Sequence, residues 1–487
     1  MASPRPAQNP RPAPLPAAPA YVSTRGGGSA VGFGEALIAG LAPDGGLFVP
    51  VAWPKLDRAT IAGFAGRPYA AVAAELMQHF VGDAVPAAEL QAICRDAYAA
   101  FRHPSVAPLV DIGPGAWLLE LFHGPTLAFK DFAMQVLARL IDRALAASGR
   151  RATVIGATSG DTGGAAIDAF AGRQRTDVVI LFPHGRVSDV QRRQMTTAAA
   201  ANVHAVAIDG SFDDCQAIVK ALFGRRDFAE RVALTGVNSI NWARIMAQTV
   251  YYFTAAAALG APDRTVDFTV PTGNFGDVFA GYVAKQMGLP IGRLTIATNE
   301  NDILERALAS GRYEVRGVTA TRSPSMDIQV SSNFERLLFE ATGRDAGAVQ
   351  RMMNNLAQSR GFPIPEPALA RIRADFAAGR ASEAETLATM KRLDAACGYL
   401  ADPHSAVAVT VAGRQKRAGV PMVALATAHP AKFPDAVAEA TGRRAALPPA
   451  LADLMERPER VTRLANDAGA VAAFIEAKSR AAAGEAR

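Results

Sequence analysis

The alternation of short apolar strands with helical segments predicts an α/β protein with two parallel-type sheet domains and covering helices. The strands are short and continuously apolar, which is typical of parallel strands buried on both faces. Glycine-rich turns follow two of them and lead directly into helices. A helical N-terminal region precedes this alternation. The strands that support the prediction are 117–122, 153–156, 177–182, 203–208, 268–270, 294–297 and 421–426.

The 487 residues are more than one compact core usually contains, so we predict several structural units. The first residues are rich in proline and alanine, which disfavours both helix and sheet. A short strand candidate at 47–50 and helical patterns from about 60 to 101 come next. The predicted units are a disordered extension (1–20), a mostly helical N-terminal domain (21–110), a large α/β domain (111–150 and 251–487, with a helical insertion at 335–395) and a small α/β domain (151–250).

Composition and charge argue against several classes of protein. The 51 lysine and arginine residues exceed the 45 acidic residues by six, and we find no run of five like charges. This pattern does not favour a nucleic-acid partner. The three cysteines lie far apart, which argues against a disulfide framework or a zinc site and favours a reducing cytoplasm. The most apolar long stretch, 245–261, is too short and too polar to predict a membrane span.

Lys130 occupies a position that disfavours a positive charge. It begins an amphipathic helix, and the positive end of a helix dipole attracts anions. The dipole and the apolar neighbours of the lysine are expected to lower its pKa, and a partly neutral amine can attack a carbonyl to form an imine. The alternative is a surface lysine whose stem covers apolar residues. The apolar face that predicts the helix comprises Phe132, Ala133, Val136, Leu137, Leu140, Ile141 and Leu145.

Two glycine-rich turns lie between a strand and a helix. Backbone N–H groups at a helix N-terminus bind anions, and glycine allows the backbone to approach them closely. The first turn matches neither a dinucleotide-binding nor a Walker motif, and a well-capped helix is the alternative interpretation. Asp277 in the second turn is expected to cap a helix from Val278 or to hold the loop in shape. The candidate ligands are Thr158, Ser159, Asp161 and Thr162 in the first turn, and Gly273, Asn274, Phe275, Gly276 and Asp277 in the second.

Two further motifs carry polar groups that suit ligands. Asn238, Ser239, Asn241 and Arg244 provide amides, a hydroxyl and a guanidinium, which together suit a phosphate dianion. The alternative is a helix N-cap followed by a solvated face. Thr427 follows the last buried strand, where ligands of open α/β sheets bind, and its hydroxyl suits a ring nitrogen. A plain turn before prolines is the alternative there.

An imine-forming lysine, two anion-binding turns, a second anion cluster and a hydroxyl at a strand end together suit pyridoxal phosphate acting on an anionic amino acid. At this point the chain resembles the longer, non-plant branch of the threonine synthases. These enzymes have a pyridoxal-phosphate fold similar to that of tryptophan synthase β. The motifs that carry the resemblance are YVSTRG (21–26), HGPTLAFKDF (123–132), ATSGDTGGAA (157–166), NSINWAR (238–244), PTGNFGD (271–277), SSNFERLLF (331–339) and ATAHPAKFP (426–434).

The resemblance implies a role for each matching position. Lys130 would bind the cofactor covalently and move protons at the substrate's α and β carbons. The 273–277 loop would bind the cofactor phosphate, and Thr427 would contact the pyridine nitrogen. Thr158, Ser159, Asp161 and Thr162 would line the substrate carboxylate and the ring's phenolic oxygen. Asn238, Ser239, Asn241 and Arg244 would hold the substrate phosphate. Asp161 stands where much of the wider fold has asparagine, and its carboxylate would repel the phenolic oxygen unless protonated or turned away.

The implied enzyme is a lyase that converts O-phospho-L-homoserine and water to L-threonine and phosphate, the last step of threonine biosynthesis. It would act in the cytoplasm as a monomer or homodimer, with neither a nucleic-acid nor a membrane partner. The alternative is a threonine-synthase-like phospholyase, which would release 2-oxobutyrate. A dehydratase is a weaker alternative because the 238–244 motif would then have no phosphate to bind, and Lys130 argues against a non-catalytic regulator.

Overall fold

The computed structural model describes residues 19–237 and 239–482. Its strands, in chain order, are β1 Ala20–Ser23, β2 Val31–Gly32, β3 Phe48–Pro50, β4 Leu109–Gly113, β5 Ala116–Glu120, β6 Ala152–Ala157, β7 Thr176–Pro183, β8 Val203–Asp209, β9 Leu234–Gly236, β10 Val266–Pro271, β11 Ile291–Thr298, β12 Arg312–Glu314, β13 Gly361–Pro363, β14 Phe376–Arg380, β15 Met422–Ala426 and β16 Val461–Ala465.

The α-helices, in chain order, are α1 Phe33–Ala39, α2 Arg58–Ala62, α3 Tyr69–Val81, α4 Ala87–Tyr98, α5 Lys130–Ala147, α6 Asp161–Phe170, α7 Asp189–Thr196, α8 Phe212–Gly224, α9 Arg226–Arg231, α10 Trp242–Ala258, α11 Gly276–Gln286, α12 Ile303–Ser310, α13 Phe334–Ala341, α14 Ala346–Ser359, α15 Glu366–Asp375, α16 Glu383–Cys397, α17 Pro403–Gln415, α18 Pro434–Thr441 and α19 Ala468–Lys478. Among the described residues, no helix is long and apolar enough to cross a membrane.

The larger sheet has the strand order β14-β11-β10-β15-β5-β4. Neighbours from β14 to β5 are parallel, and β4 joins β5 in the antiparallel direction. Alternate residues of β15 belong to two different hydrophobic cores: Val423 and Leu425 to one, Met422, Ala424 and Ala426 to the other. Both faces of this sheet are therefore covered, as the continuously apolar strand predicted.

The smaller sheet has the order β16-β8-β7-β6-β9 and is parallel throughout. Together, the two sheets and their helices confirm the predicted fold class. The assignment of all of 251–487 to the large domain is wrong for β16, which pairs with β8. The reason is that α19 buries Val471 and Ile475 in the core that α8 shares with this sheet, which brings β16 to the edge of β8.

The segment 335–395 is not wholly the helical insertion that the sequence predicts. Its helices flank β14, which extends the larger sheet by pairing with β11 in the register Phe376↔Leu294. The β14 sequence, Phe-Ala-Ala-Gly-Arg, is poor in β-branched residues, so local pattern favours a helix. The open edge of β11 overrides that preference, because tertiary pairing supplies the backbone hydrogen bonds.

The N-terminal region contains the predicted helices and an antiparallel sheet of order β2-β1-β3. Ala20, predicted to be in the disordered extension, is the first residue of β1 and pairs with Gly32. The extension up to residue 18 lies outside the described residues. Directly after β1 in the chain, the Thr24 hydroxyl donates to Glu335 Oε1 at 2.6 Å and Arg25 forms a salt bridge with Glu335 Oε2 at 2.8 Å. These contacts connect the N-terminal region to α13. The division into domains otherwise stays a prediction.

The carboxyl ends of four strands position the candidate site residues. The loop after β5 leads to Lys130, the turn after β6 leads to Asp161, and the turn after β10 is 272–275. Thr427 comes directly after β15. Because β5, β10 and β15 lie side by side and parallel, their carboxyl ends meet at one edge of the larger sheet, where ligands of open α/β sheets bind.

Candidate active site

The loop before Lys130 is tied to the segment that follows β15. The Phe129 N–H donates to the Thr427 carbonyl at 2.9 Å, and the His429 N–H donates to the Leu127 carbonyl at 3.0 Å. Leu127 has φ +62°, a left-handed conformation that is strained for a branched side chain. The surrounding hydrogen bonds hold it there, and Lys130 begins α5 as predicted.

The Lys130 side chain is buried, 8% exposed, and points toward charged neighbours. Its Nζ lies 3.4 Å from Asp161 Oδ2 and 4.6 Å from the centre of the Phe129 ring. Burial lowers the pKa of the ammonium; Asp161 opposes this, and the positive charges of Lys432 and Arg244 add to it. The predicted direction of the shift is confirmed, with burial as its largest cause, and the surface-lysine alternative is wrong.

The turn 273–275 forms a close-fitting backbone cradle at the start of α11. A Cβ on Gly273 would lie 2.8 Å from the Ser325 carbonyl oxygen, so no larger residue fits without moving the backbone. Phe275 has φ +65° and stands directly before the helix, whose first free N–H groups follow it. All five residues of 273–277 line the same cavity as Lys130, and their role in binding an anion stays a prediction.

Asp277 does not cap a helix that begins at Val278. The helix begins at Gly276, and the Asp277 Oδ1 accepts hydrogen bonds from the hydroxyls of Tyr251 at 2.5 Å and Tyr252 at 2.9 Å. Both tyrosines belong to α10, so the carboxyl fixes the helix of the glycine turn against α10. This agrees with the second expectation, that Asp277 holds the loop in shape.

The substitution Asp277→Asn is expected to change how stability depends on pH. Burial raises the pKa of the Asp277 carboxyl to about 6, against the hydrogen bonds of the two tyrosines, from an ordinary value of 3.8. Because this pKa is raised in the folded state, protonated Asp277 contributes favourably to the free energy of unfolding. The contribution is complete below about pH 4 and is lost as the pH rises through 6, a change of about 3 kcal/mol. Chemical unfolding at pH 4 and pH 7 should show wild type losing that much relative to the variant.

The exposed Asp83 offers a matched control, since Asp83→Asn should leave the pH dependence of wild type unchanged. If the free energy of unfolding changed with pH in the same way for wild type and Asp277→Asn, this would contradict the prediction that the Asp277 carboxyl has a raised pKa in the folded state.

The turn after β6 divides its predicted residues between two tasks. The Thr158 hydroxyl accepts hydrogen bonds from the N–H groups of Gly160 and Gly163, both at 2.9 Å, and so shapes the turn. Asp161 and Thr162 line the cavity, whereas Thr158 and Ser159 are not part of its wall. A direct ligand role for the latter two stays a prediction.

The 238–244 motif is divided in the same way. Asn238 lies outside the described residues. Asn241 is the N-cap of α10: its Oδ1 accepts from the Ala243 N–H at 3.0 Å and its Nδ2 donates to the Leu37 carbonyl at 2.9 Å. Its amide is therefore engaged by the protein, as the capping alternative stated. Ser239 and Arg244 line the cavity.

Arg244 is a buried cation without a carboxylate partner among the described residues. It is 3% exposed, Nη1 donates to the Val237 carbonyl at 3.1 Å, and Nε has no hydrogen-bond partner. Burial lowers its pKa to about 10, and at neutral pH the guanidinium remains charged. An unpaired buried charge is costly, so this arrangement indicates a site for an anionic ligand.

Sequence reasoning missed several residues of the site. Gln248 follows Arg244 by one helical turn, lines the cavity and has an unpaired Oε1. Its position inside an apolar helix was the available signal. His404 also lines the cavity; its Nδ1 is 2.8 Å from Asp402 Oδ1, and its Nε2 accepts from the Ser325 N–H at 3.2 Å. These contacts join distant segments, which no local pattern reveals.

Asp161 is the most heavily contacted charge in the site. Lys432 Nζ lies 2.7 Å from its Oδ1, Gln191 Nε2 donates to the same oxygen at 2.9 Å, and the Ser325 hydroxyl reaches Oδ2 at 3.3 Å. Burial disfavours its charged form, but the ammonium groups of Lys432 and Lys130 outweigh that effect and hold the pKa of the carboxyl well below its ordinary range. Asp161 is therefore ionised.

These features fit pyridoxal phosphate. Lys130 supplies an amine for an aldehyde, the Gly273 cradle and the first amides of α11 supply donors for a phosphate, and Thr427 also lines the cavity. The unpaired Nε of Arg244 leaves a donor for a further anion. One cavity thus holds the groups for an aldehyde and for more than one anion.

Three family models match consecutive parts of the chain. They are the threonine synthase N terminus over residues 20–98, the pyridoxal-phosphate dependent enzyme over 102–366, and the threonine synthase C-terminal model over 405–475. The second of these covers more than half of the chain and includes Lys130 and both glycine turns. The matches follow the order in which the motifs occur in the sequence.

Individual threonine synthases are similar over nearly the whole chain. That of Pseudomonas aeruginosa is 49% identical over 457 residues, covering 93% of this chain and 97% of its own. The solved structure of a PLP-bound threonine synthase from Brucella melitensis is 58% identical, with a TM-score of 0.93 and coverage of 95% of this chain and 100% of that one. The yeast threonine synthase structure has a TM-score of 0.90 at 39% identity and covers 94% and 98%. The chain belongs to the threonine synthase family of pyridoxal-phosphate-dependent enzymes.

Proposed function

We propose that the cavity around Lys130 converts O-phospho-L-homoserine and water to L-threonine and phosphate. The observation that carries this proposal is that one cavity contains a buried lysine and two candidate anion-binding sites. The first is the glycine turn at 273–277, and the second is the guanidinium of Arg244. A phosphorylated cofactor and a phosphorylated substrate need two such anion sites.

Pyridoxal phosphate, when bound, supplies the electron sink that makes protons beside the amino group of the substrate removable. Lys130 holds the cofactor through Nζ and later moves protons at the substrate's α and β carbons. A lysine can do this because burial lowers its pKa and so favours the neutral amine, which can accept a proton. The loop 273–277 would hold the cofactor phosphate, through its backbone N–H groups, and the Thr427 hydroxyl would contact the pyridine nitrogen.

Arg244 binds the phosphate of the substrate, with Ser239 beside it. The guanidinium also stabilises the phosphate as it leaves the γ carbon, because the leaving group gains negative charge there. Asn241 contributes by fixing the first turn of α10, on which Arg244 stands. Thr162 and the turn that Thr158 and Ser159 form are proposed to bind the substrate carboxylate, at the N-terminus of α6.

Product analysis with O-phospho-L-homoserine tests this function. We expect one L-threonine for each phosphate released, because water adds at the β carbon before the product leaves. A phospholyase would release phosphate with 2-oxobutyrate and no threonine, and this result would overturn the proposal in favour of elimination alone. Chromatographic measurement of both products with a phosphate assay gives the ratio directly, and a reaction without enzyme is the control.

We also propose that the protein acts in the cytoplasm, as a monomer or homodimer, without a nucleic-acid or membrane partner. Cys94, Cys215 and Cys397 are all free thiols, and Cys397 is exposed, which suits a reducing compartment.

A further inference from the structure

Lys432 is the most deeply buried lysine near the site, yet it does not line the cavity. Its side chain is 0% exposed. Its ammonium has two partners: Asp161 Oδ1 at 2.7 Å and the Thr126 carbonyl at 2.8 Å. Lys432 follows β15, Thr126 precedes α5 and Asp161 begins α6, so one buried charge joins three segments that surround Lys130.

The two oxygens of Asp161 have different surroundings. Oδ1 is taken by Lys432 and Gln191, whereas Oδ2 faces Lys130 and the Ser325 hydroxyl. The shorter contact, 2.7 Å against 3.4 Å, is the one to Lys432. The carboxylate is therefore neutralised mainly by a lysine that does not react, and Lys130 is left with the weaker contact.

We propose that Lys432 is a positioning residue for the reaction: it neutralises Asp161 and thereby keeps Lys130 Nζ free to lose its proton. This inference rests on the proposed function. Condensation of an amine with an aldehyde forms a C=N bond and releases one water, and it requires the amine to be unprotonated. An Asp161 without Lys432 would instead hold Lys130 as an ammonium ion.

The same contact would account for a carboxylate at position 161, where the resemblance implies asparagine in much of the wider fold. Alone, Asp161 would repel the phenolic oxygen of the cofactor. Paired with Lys432, it forms a neutral unit whose Oδ1 is directed to the ammonium and to Gln191. The pair thus replaces a neutral amide by a neutral ion pair.

Other charged groups act on the same atoms and stay constant in the test. Arg244, in addition to Lys432, lowers the pKa of Lys130. The charge of Lys130 lowers the pKa of Asp277, and His404 lowers the pKa of Asp161. Because these groups remain in every variant, differences between variants report on Asp161 and Lys432.

The test follows the proton at Lys130 Nζ by titrating, against pH, the formation of the imine when pyridoxal phosphate is added to the full-length cofactor-free protein, measured as growth of the imine absorption band. Lys432→Met should move the midpoint of this titration to higher pH by about one unit or more, since Asp161 then acts on Lys130 alone. Asp161→Asn should move it to lower pH by a similar amount, since two cations then face each other without a counter-charge. The double variant Asp161→Asn/Lys432→Met should return it to within a few tenths of a unit of wild type.

Gln194→Ala is the matched control, because Gln194 Nε2 also donates to the Thr126 carbonyl, at 3.0 Å, but carries no charge. It should leave the midpoint unchanged. An unshifted midpoint in Lys432→Met, or shifts of the same sign in both single variants, would overturn the proposal and leave Lys432 with a structural role only. If Lys432→Met does not fold, the two other variants still test the proposal. Asp161→Asn should shift the midpoint to lower pH, and the double variant should reverse that shift; absence of either result would overturn the role of Lys432.

Failure of this inference is distinguishable from failure of the proposed function. The titration reports on Lys130 whether or not threonine forms, whereas the product ratio reports on the reaction. Absence of any covalently bound cofactor in wild type would defeat the function itself.

Discussion

Replacement of Lys130 by alanine is expected to lower the rate of threonine formation by at least about 10³-fold. The lysine is proposed both to bind the cofactor covalently and to move protons at two carbons, so its removal affects every step. The absorption band of the lysine-bound cofactor should also disappear. Steady-state rates with O-phospho-L-homoserine, together with an absorption spectrum of the purified protein, measure both effects.

The folded state should survive the Lys130→Ala change. Its ammonium is buried and its contact with Asp161 is long, while Lys432 continues to neutralise that carboxylate. We therefore expect the free energy of unfolding of the cofactor-free protein to be unchanged or raised. Lys220→Ala, at an exposed position of α8, is the control and should keep wild-type activity. Threonine formation by Lys130→Ala at more than a tenth of the wild-type rate would contradict the assignment.

Arg244→Met is expected to raise the KM for O-phospho-L-homoserine by about 10²- to 10³-fold, because a buried charge paired with a phosphate contributes a few kcal/mol to binding. Methionine keeps much of the apolar stem but removes the guanidinium. The affinity for pyridoxal phosphate should change little if Arg244 faces the substrate phosphate. A loss of cofactor affinity without a change in KM would assign Arg244 to the cofactor phosphate instead.

The same variant links function to stability. The guanidinium of Arg244 is buried without a carboxylate partner in the described part of the chain, so its removal should not lower the stability of the ligand-free protein. Arg226→Met, at an exposed position, is the matched control for KM. A strong loss of stability in Arg244→Met would show that the residue is retained for folding.

The fold was predictable from sequence where local pattern and tertiary environment agree. The apolar runs that form β7, β10 and β15 indicate strands covered on both faces, and the structure buries every residue of these three. The pattern fails for β14 and β16. The burial of β16 alternates between exposed and partly buried residues, so it has little apolar signal, and its place depends on the free edge of β8.

Motif composition placed Asp161, Arg244 and Thr427 among the candidates, and all three line the cavity; two further residues stand out by their local position. Lys130 stands out because a lysine at a helix N-terminus opposes the dipole, and Gly273 because a turn there admits no side chain. Lys432 stands out by neither criterion. Its importance depends on Asp161, which lies far earlier in the chain and contacts it only through the tertiary fold.

The position of β16 has a consequence for the order of folding. Strands β6 to β9 are all complete before the middle of the chain is synthesised, but the edge of β8 stays unpaired until Val461–Ala465 has left the ribosome. An open edge strand is a template for pairing with another chain. A chain that terminates before β16 therefore exposes that edge permanently, and we expect such truncated chains to aggregate even though every residue that lines the active-site cavity is present.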